Sequence, residues 1–529
     1  MKTFILFFLF FASVLSVIVF ADPPGWSDDI QITERESFQP LSAIDSHDQI
    51  HVLYTEPSGA LLYYKKLDNE GNTIIPEMNI TDIQTFPILS DIAVDRNDAI
   101  HLVWSQRREG GNNLYYKKLD NNGTNLIDDI NLTYLFGNSR QLASTLVIDS
   151  EQNVHVVWAD NRDSSAEDHN DLFYKKLDNN GNPLSAAIKL TNVYSRKIVR
   201  SMAIDTNDNL HILWDDRRYA TDPIMGSPNL MYIKLDKHGN NLTPETRLTF
   251  IGNISLYIGG GNFAIDQQND IHLVWSQYVE IMPLSNTEIY YMKLDNNGNN
   301  LTGSKRLTFA IRTSGLPKIS IDRRNNANIV WTDDRSTPGD IYYMKLNNQG
   351  NNLTGDILAM TRWSRKEFPS LLMDSAETLH LIWWEYLYPL ERIYYKHSLS
   401  PQFTIEGEPR IGNTINITLS DPLNPNIPYL FLMSLSNNTG VALGDGRKIP
   451  LDYDGLFEFS LFFPQYLGLN NAQGILDQNG TATVIWSIPN IPAAVGLNLS
   501  VGYITIYPER PVPQLINSIS ETQTLTLMP

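Results

Sequence analysis

The stretch Asp266-Gln267-Gln268-Asn269-Asp270-Ile271-His272-Leu273-Val274-Trp275 contains the phrase that decides the fold of this chain. A version of it occurs seven times, and its final aromatic residue recurs every 50 to 61 residues. These final aromatics are Tyr54, Trp104, Trp158, Trp214, Trp275, Trp331 and Trp383. Three positions earlier stand His51, His101, His155, His211, His272, Asn328 and His380, and nine positions earlier stand Asp45, Asp95, Asp149, Asp205, Asp266, Asp322 and Asp374. The chain is therefore built from a structural repeat.

Each repeat contains four short segments that favour β-strands. In the third repeat they are 146–149, 154–158, 172–177 and 188–191, all rich in β-branched and aromatic residues. The Asn- and Gly-rich turn 178–182 separates the last two, because these residues tolerate positive φ. Four strands in a period of this length predict one blade of a β-propeller.

The two ends of the repeat array predict that the ring closes. The seventh repeat stops after its third strand, 392–396, whereas the stretch 29–33 near the start of the chain matches the fourth strand 129–133 of a complete repeat. We therefore predict an all-β protein, with a seven-bladed β-propeller over residues 22–400 whose N-terminal strand completes the last blade. Closure would pair edges that are otherwise open.

The region after the repeats predicts a second all-β domain. Residues 401–510 alternate apolar and polar positions between turns rich in Pro, Gly and Asn, which is typical of a β-sandwich. Residues 511–529 are expected to form a last strand or a loose tail.

Two resemblances extend this interpretation. Phrases such as 331–335 (WTDDR) and 289–295 (IYYMKLD) resemble secreted bacterial and archaeal propeller-repeat proteins over about residues 28–400. Residues 440–451, 474–482 and 489–497 resemble an immunoglobulin-like C-terminal domain common in exported bacterial proteins, which implies an accessory or surface-associated module. The first resemblance implies ligand binding, surface attachment or carbohydrate contact. Among enzymes the shape is similar to sialidase-like propellers, although the S-x-D-x-G-x-x-W motif of sialidases does not occur here.

The N-terminus and the composition predict an extracytoplasmic protein. Residues 1–21 have the charged start, apolar run and small final residue of a secretory signal peptide; the alternative is an uncleaved anchor. The chain has no cysteine, so it has no disulfides. Its net charge of −19 disfavours nucleic acid and anionic lipid as partners. We expect a secreted or cell-surface protein without a transmembrane segment after cleavage, with an extracellular glycan or protein as partner.

The repeated aspartate, histidine and tryptophan residues are interpreted as structural. A residue needed once per blade serves every blade, whereas an active site is made once. The aspartate is expected to bond the histidine across a tight turn, and the tryptophan to pack between blades. Histidines spread around a ring cannot converge on one metal. We expect no metal or other cofactor, with calcium at the Asp-Asn-Asn-Gly-Asn turns as a weaker alternative.

Candidate ligand-binding residues follow the tryptophans. The residue two positions after the repeat aromatic is always a hydrogen-bond acceptor. The residue four positions after it is an arginine in four of the seven repeats. They either order the local loop or line the channel mouth, where they suit sugars or acidic groups. The candidates are Asp160, Asp216, Asp333, Glu385, Arg108, Arg162, Arg218 and Arg335, with the aromatics Tyr219, Tyr278 and Trp384. Trp384 and Tyr386 are expected to form a contact patch or to pack on the next domain.

Three functions are compatible with these features. The first is a non-catalytic binding or adhesion protein that uses the loop face, because the chain lacks G-x-S-x-G, H-E-x-x-H, P-loop and cysteine nucleophile motifs. The second is a glycan-active enzyme, which requires one convergent cluster of non-repeated carboxylates at the channel mouth. The third is a structural component of the envelope. The first is preferred, and no catalytic residue is assigned.

Overall fold

The protein is almost entirely β-structure. In the computed structural model the described residues are 23, 25–56, 61–81, 88–108, 111–134, 141–162, 169–220, 226–250, 258–281, 284–335, 339–361, 364–387, 390–443, 448–506 and 515–529. They contain one α-helix, and the all-β prediction is confirmed. The expected signal peptide, residues 1–21, lies outside these residues. None of the helices described is long and apolar enough to cross a membrane.

Within the described residues, the repeat region forms seven four-stranded antiparallel sheets, numbered here in chain order. Their first strands are β2 (Phe38–Ile44), β6 (Ile88–Val94), β10 (Gln141–Ile148), β14 (Lys197–Ile204), β18 (Ile258–Ile265), β22 (Ser314–Ile321) and β26 (Arg365–Met373). The second strands are β3 (Ile50–Thr55), β7 (Ile100–Arg108), β11 (Val154–Asp160), β15 (Leu210–Asp216), β19 (Ile271–Ile281), β23 (Ala327–Asp333) and β27 (Leu379–Leu387).

The remaining strands complete each sheet. The third strands are β4 (Leu62–Leu67), β8 (Gly111–Leu119), β12 (Asp171–Leu177), β16 (Asn229–Leu235), β20 (Leu284–Leu294), β24 (Asp340–Leu346) and β28 (Leu390–His397). The fourth strands are β5 (Thr73–Asn79), β9 (Asn125–Asn131), β13 (Ile188–Lys189), β17 (Thr246–Arg247), β21 (Lys305–Arg306), β25 (Ile357–Met360) and, for sheet 7, the N-terminal β1 (Ile30–Gln31). β1 pairs with β28, with Ile30 opposite Tyr395.

Each sheet packs between its two neighbours. The second strands β3, β11 and β15 are buried along their whole length, as expected for strands covered on both faces. The repeated tryptophan lies in such an interface: Trp158 of sheet 3 shares a hydrophobic cluster with Val103 and Tyr116 of sheet 2. Hydrophobic side chains therefore join consecutive sheets.

The first strands form a closed circuit. Each contacts the first strand of the next sheet, and β26 of sheet 7 contacts β2 of sheet 1. A second circuit lies in the turns between first and second strands, where the backbone N–H that follows each repeat aspartate donates to a side chain of the next sheet's turn. The acceptors are Asp98, Gln152, Asp208, Asn269, Asn325, Glu377 and, from sheet 7 back to sheet 1, Asp48. We call this end of the ring the lower face, and the opposite end the upper face.

The turn between third and fourth strands packs on the preceding sheet. Its glycine has positive φ, and a Cβ on Gly298 would lie 2.3 Å from the Tyr232 ring of sheet 4. Sheet 7 has no such turn, because its fourth strand comes from the N-terminus. Beside Tyr343 of sheet 6 the indole of Trp26 lies instead, edge-on, with ring centroids 5.9 Å apart.

Residues 402–526 form two further sheets that share one core. One has the order β29 (Gln402–Glu406), β30 (Thr414–Ser420), β36 (Thr481–Ser487) and β34 (Leu469–Asn470). The other has the order β35 (Gln473–Ile475), β31 (Pro428–Ser434), β37 (Asn498–Ile506) and β38 (Ile516–Ile519), with β39 (Gln523–Thr526) also paired to β37. The smaller elements are β32 (Val441–Ala442), β33 (Lys448–Ile449), helix α1 (Gly455–Phe462) and 3₁₀ turns at Pro464–Leu467 and Pro492–Ala494.

Candidate functional site

The repeated aspartate and histidine residues lie in buried networks, one in each of six sheets; in sheet 6 an asparagine, Asn328, replaces the histidine. In sheet 3, one carboxylate oxygen of Asp149 accepts two backbone N–H groups of its turn, and the other lies 3.1 Å from His155 Nε2. His155 Nδ1 lies 2.9 Å from the hydroxyl of Tyr174, and the Lys176 ammonium lies 2.8 Å from Asp149. The histidines therefore belong to separate networks around the ring.

In five of these networks the pKa of the histidine is lowered and the pKa of its aspartate is lowered as well. Burial lowers the pKa of five of the histidines, His51, His101, His155, His211 and His272. Burial opposes ionisation of the partner aspartates, but hydrogen bonds from the histidine, the lysine and the turn outweigh it and lower the pKa of Asp266 to about 2. A neutral imidazole between two fixed partners is suited to holding strands together.

The arginine and acceptor candidates are engaged within their own sheets. The indole N–H of Trp158 donates to Asp160 at 2.7 Å, and the guanidinium of Arg162 donates to the same carboxylate. The triplets Trp214–Asp216–Arg218 and Trp331–Asp333–Arg335 repeat this arrangement. Arg108 instead binds Asp129 at 2.8 Å. Glu385 accepts hydrogen bonds from Trp383 and Ser364. Ligand binding by these residues stays a prediction.

The aromatic candidates are separated. Tyr219 is partly exposed beneath the guanidinium of Arg247, 4.2 Å from its ring centroid, and Tyr278 is half-buried on β19. Trp384 is buried against Phe38 of sheet 1 and Phe368 of sheet 7, with ring centroids 5.1 and 6.2 Å away. The expectation that Trp384 forms a surface patch or packs on the next domain is therefore wrong: its aromatic ring fills the junction between the first and last sheets.

A different set of residues shares one position of the first strands, which contact one another around the circuit. The residue four positions before each repeat aspartate varies between the sheets, and only serine occurs twice. In six of the seven sheets this residue lies at a β-bulge of the first strand. The residues at this position are Leu41, Asp91, Thr145, Ser201, Asn262, Lys318 and Ser370. Asp91 of sheet 2 accepts from the Thr145 hydroxyl at 2.6 Å and from the Leu146 backbone N–H at 3.0 Å in sheet 3, and its charge acts on Lys318 of sheet 6.

Sheet 4 contributes an arginine–carboxylate pair. Arg200 Nε donates to Asp215 at 2.8 Å, and the Arg200 charge acts on Lys318. Burial raises the pKa of Asp91, against hydrogen bonds from Thr145 and two backbone N–H groups, and burial also raises the pKa of Asp215 against the Arg200 charge. Burial lowers the pKa of Lys318. Each of these shifts favours the neutral form of the group, because burial disfavours its charged form.

A histidine–tyrosine pair lies on the upper face where sheets 3 and 4 meet. The rings of His169 and Tyr194 are stacked, with centroids 4.5 Å apart and planes 12° apart. The Ser195 backbone N–H donates to His169 Nδ1 at 3.1 Å, so the proton of a neutral imidazole resides on Nε2, 3.6 Å from Asp171. Tyr194 is 56% exposed. The Arg200–Asp215 pair belongs to the same ends of β14 and β15, where Ile198 pairs with Asp215.

Sequence reasoning missed these residues because it followed what the repeats share. Asp91, Arg200, Lys318 and the His169–Tyr194 pair occur in one repeat each. Aligning the repeats on their aspartates and searching for ionisable residues that appear once would have found the channel residues. The stacked pair joins two loops that differ in length between repeats, and no sequence signal indicates it.

One group of potential metal ligands occurs in the part of the chain that the structure describes. Ligand atoms of Asp45, His47 and Asp98 lie within 4.8 Å of one another at the lower face. The Asp98 carboxylate already accepts the backbone N–H and the hydroxyl of Ser46. At the Asp-Asn-Asn-Gly-Asn turns, one oxygen of Asp178 accepts the backbone N–H groups of Asn180 and Asn182. These carboxylates act in turn geometry, and no metal is assigned to them.

The fold resembles that of solved propeller-like proteins. No family model and no curated protein matches the sequence. Among solved structures, the polysaccharide lyase Uly1 superposes with a TM-score of 0.50 at 11% identity, covering 71% of this chain and 99% of its own. A PL25 ulvan lyase bound to -[GlcA(1-4)Rha3S]- gives 0.49 at 11%, covering 69% and 95%. The α-L-arabinofuranosidase Arb93A of Fusarium graminearum gives 0.41 at 10%, covering 70% and 98%.

These comparisons correct the preferred functional expectation. The solved structure with a TM-score of 0.50 is a polysaccharide lyase, which is a glycan-active enzyme and contradicts the preference for a non-catalytic binding or adhesion protein. It agrees with the second hypothesis, a glycan-active enzyme. At 11% identity the likeness shows the fold alone and does not identify catalytic residues in this chain.

Proposed function

We propose that this protein is a glycan-active enzyme whose active site lies on the upper face at the junction of sheets 3 and 4, beside the axial channel. The observation that carries the proposal is the convergence of ionisable residues that occur once each: Asp91, Arg200, Asp215 and Lys318. A repeated scaffold that places single-copy groups with perturbed pKa values at one point is typical of a functional site.

The chemistry that these groups suit best is β-elimination on a polysaccharide that contains uronic acid. A base removes the proton next to the sugar carboxylate, the electron pair forms a carbon–carbon double bond, and the bond to the glycosidic oxygen breaks as that oxygen receives a proton. Cations stabilise the charge that develops on the substrate carboxylate. Arg200 and Lys318 supply cations, and the exposed Tyr194 hydroxyl beside His169 supplies a group that transfers protons.

The neighbouring carboxylate would position the arginine. Asp215 binds the Arg200 guanidinium through Nε, so the planar group has a fixed orientation for a second carboxylate. The negative charge of the whole chain, −19, would otherwise repel an acidic polysaccharide. The positive charge of Arg200 in an otherwise acidic protein therefore favours binding of the acidic polysaccharide at the proposed active site.

The test is turnover of a panel of uronate polysaccharides, ulvan, alginate, pectin and chondroitin among them, by the secreted form of the chain. Elimination creates a conjugated double bond that absorbs ultraviolet light, whereas hydrolysis releases reducing ends without it. We expect Tyr194→Phe and Arg200→Gln each to lower kcat/KM about 10²- to 10⁴-fold. The matched controls are Tyr134→Phe, an exposed tyrosine in the connection between sheets 2 and 3, and Arg312→Gln, an exposed arginine.

Two results would contradict the proposal. Turnover unchanged in both Tyr194→Phe and Arg200→Gln would move the active site elsewhere on the fold. Reducing ends without ultraviolet absorbance would exclude elimination; loss of that activity in Asp91→Asn would then identify glycoside hydrolysis.

We also propose that the seven sheets are the blades of one closed propeller spanning residues 22–400, followed by a β-sandwich from residue 401. The closed circuit of first strands, the lower-face hydrogen bonds that return from sheet 7 to Asp48, and the pairing of β1 with β28 support the ring. The pairing of β38 and β39 with β37 supports including 511–529 in the sandwich as last strands. A crystal structure with another number of blades would overturn this.

Export of the chain remains a proposal based on its first residues. A signal peptide over residues 1–21 predicts that the mature protein begins at Asp22. N-terminal sequencing of the protein recovered from the culture medium tests it, and retention of the intact N-terminus in the membrane fraction would support the anchor alternative.

A further inference from the structure

The junction between the repeat region and the C-terminal region contains a polar cavity. It has a volume of about 570 Å³, within the range of small-molecule sites, and is lined by residues of sheets 6 and 7, the linker 398–401 and the C-terminal region. Asp322, Asn328, Tyr343 and Lys345 of sheet 6 form one wall, and Asp421 and Asn424 face them. The cavity is separate from the channel residues assigned to catalysis.

The other sheets show what normally occupies this position. In sheets 1 to 5 a lysine of the third strand binds the turn of the next sheet: Lys66 donates to the side-chain and backbone oxygens of Asn121, and Lys176 donates to the carbonyl of Lys237. The Asn121 amide in turn donates to Asp45 at 3.1 Å. A carboxamide thus bridges the lysine and the repeat aspartate. The same asparagine position contacts the lysine in the turns at Asn179, Asn296 and Asn348.

Sheet 6 lacks this carboxamide because sheet 7 has no turn between third and fourth strands. Its lysine, Lys345, lies 3.2 Å from Asp322, and no described turn asparagine bridges the two. In the other sheets the tyrosine equivalent to Tyr343 contacts the glycine of the next sheet's turn. In sheet 6 Trp26 covers the Tyr343 ring instead, but its indole does not provide a carboxamide to bridge Lys345 and Asp322. The bridging position opens into the cavity instead.

The same sheet departs from the repeat at the residue that faces the cavity. Asn328 replaces histidine, and its oxygen accepts from Tyr343 at 2.8 Å, as a histidine nitrogen does in the other sheets. Asn328 is 2% exposed, and its Nδ2 has no hydrogen-bond acceptor among the described residues. Across the cavity, Asn424 Oδ1 has no described donor. A buried donor and an acceptor without partners favour a ligand that offers both.

The charges around the cavity favour a neutral ligand. Lys345 and Arg324 face Asp322 and Glu377, and Arg324 binds Glu377 at 3.0 Å. Burial opposes ionisation of Asp322, but the charges of Lys345 and Arg324 lower its pKa, and burial raises the pKa of Asp421. An additional full charge would lack a counterion here.

We propose that this junction cavity binds a neutral ligand through a carboxamide group, which takes the bridging position between Lys345 and Asp322 and accepts from Asn328. The acetamido group of an N-acetylated sugar has this chemistry: its oxygen accepts from the ammonium and its N–H donates to the carboxylate. The site is independent of the proposed catalytic residues, so its binding is measured without any turnover.

The test uses N-acetylglucosamine as probe, with glucose as the matched sugar without the amide, and saturation-transfer NMR on the full mature chain. We expect saturation of the acetamido methyl group and at least about fivefold weaker binding of glucose. Asn328→His restores the residue used by the other six sheets and removes the free donor, and we expect it to weaken N-acetylglucosamine at least about fivefold. His272→Asn in sheet 5, where Asn348 already occupies the position, should leave binding unchanged.

A third variant keeps the test decisive if the wall variants unfold. Ser400→Trp changes an exposed linker residue that lines the cavity and should block entry without altering either hydrogen-bonding wall. Loss of methyl saturation in this variant supports the site. Equal binding of glucose and N-acetylglucosamine, or saturation unchanged in both Asn328→His and Ser400→Trp, would overturn the proposal.

Discussion

Replacing Trp26 by alanine tests how the N-terminal segment closes the ring. Trp26 is 3% exposed and packs in a cluster with Tyr343 of sheet 6, Trp383 of sheet 7 and Leu423 of the C-terminal region. Its backbone also pairs with Ser398 at the end of the last repeat. One side chain therefore joins two sheets, the N-terminus and the C-terminal region.

The expected cost follows from the area that the indole buries. A tryptophan buries about 200 Å² of largely apolar surface, which at about 25 cal/mol per Å² corresponds to about 5 kcal/mol as an upper bound. Alanine retains a small part of this, and the space left between Tyr343 and Leu423 relaxes only partly. We expect Trp26→Ala to lower the free energy of unfolding by about 3 to 5 kcal/mol.

Urea unfolding followed by circular dichroism, together with limited proteolysis, measures this effect. Trp26→Phe should recover more than half of the loss, and Phe250→Ala, at a residue 77% exposed, should change the free energy by less than about 0.5 kcal/mol. Proteolysis of Trp26→Ala should begin near β1 and sheet 7. A loss below about 1 kcal/mol with unchanged cleavage would refute the reasoning that this indole closes the ring.

Three further outcomes are expected. Stability should fall as pH drops from 7 to 5, because the five buried repeat histidines have folded pKa values below the unfolded value of about 6.5 and bind protons mainly after unfolding; urea midpoints that rise on acidification would contradict this. Gly298→Ala should cost about 2 kcal/mol more than Gly355→Ala, since both have positive φ but only the first places a methyl group against a tyrosine ring of the preceding sheet; equal melting temperatures would argue against this packing. Arg324→Ala removes bonds to the carbonyls of Ile516 and Asn517 and to Glu377, and it should expose the linker 398–401 to protease at unchanged far-ultraviolet circular dichroism; an unchanged digestion pattern would show that these bonds do not hold the junction.

The repeat could be predicted because its causes are local. A strand of alternating β-branched residues, a turn that needs positive φ, and an aspartate that accepts its own turn's N–H groups act within ten residues. The partner of this aspartate is also local, since His155 follows Asp149 across one hairpin. The tyrosine and lysine partners of this network belong to the third strand, and sequence reasoning did not connect them to it.

The errors came from side chains whose environment is set by distant sheets. Trp384 follows the repeat tryptophan and resembles a surface aromatic in the sequence, yet the return of sheet 7 to sheet 1 encloses it against Phe38. The preference for a non-catalytic protein rested on the absence of short catalytic motifs and was wrong for a related reason. Such motifs contain residues that are close in the sequence, so they cannot reveal a site built from distant residues. Asp91 and Lys318 are more than two hundred residues apart in the sequence, and their charges interact only in the folded chain.

The sequence alone determined the all-β class, the strands of each repeat and the hydrogen-bonded turns, because these depend on neighbouring residues and on a period that can be counted. Only the tertiary structure decided which single-copy residues face one another in the channel, and where sheet 6 opens a cavity toward the C-terminal region. The physical reason is that both features arise from closing a ring: electrostatic interactions across the axis, and the missing turn at the closure, exist only when the first and last sheets meet.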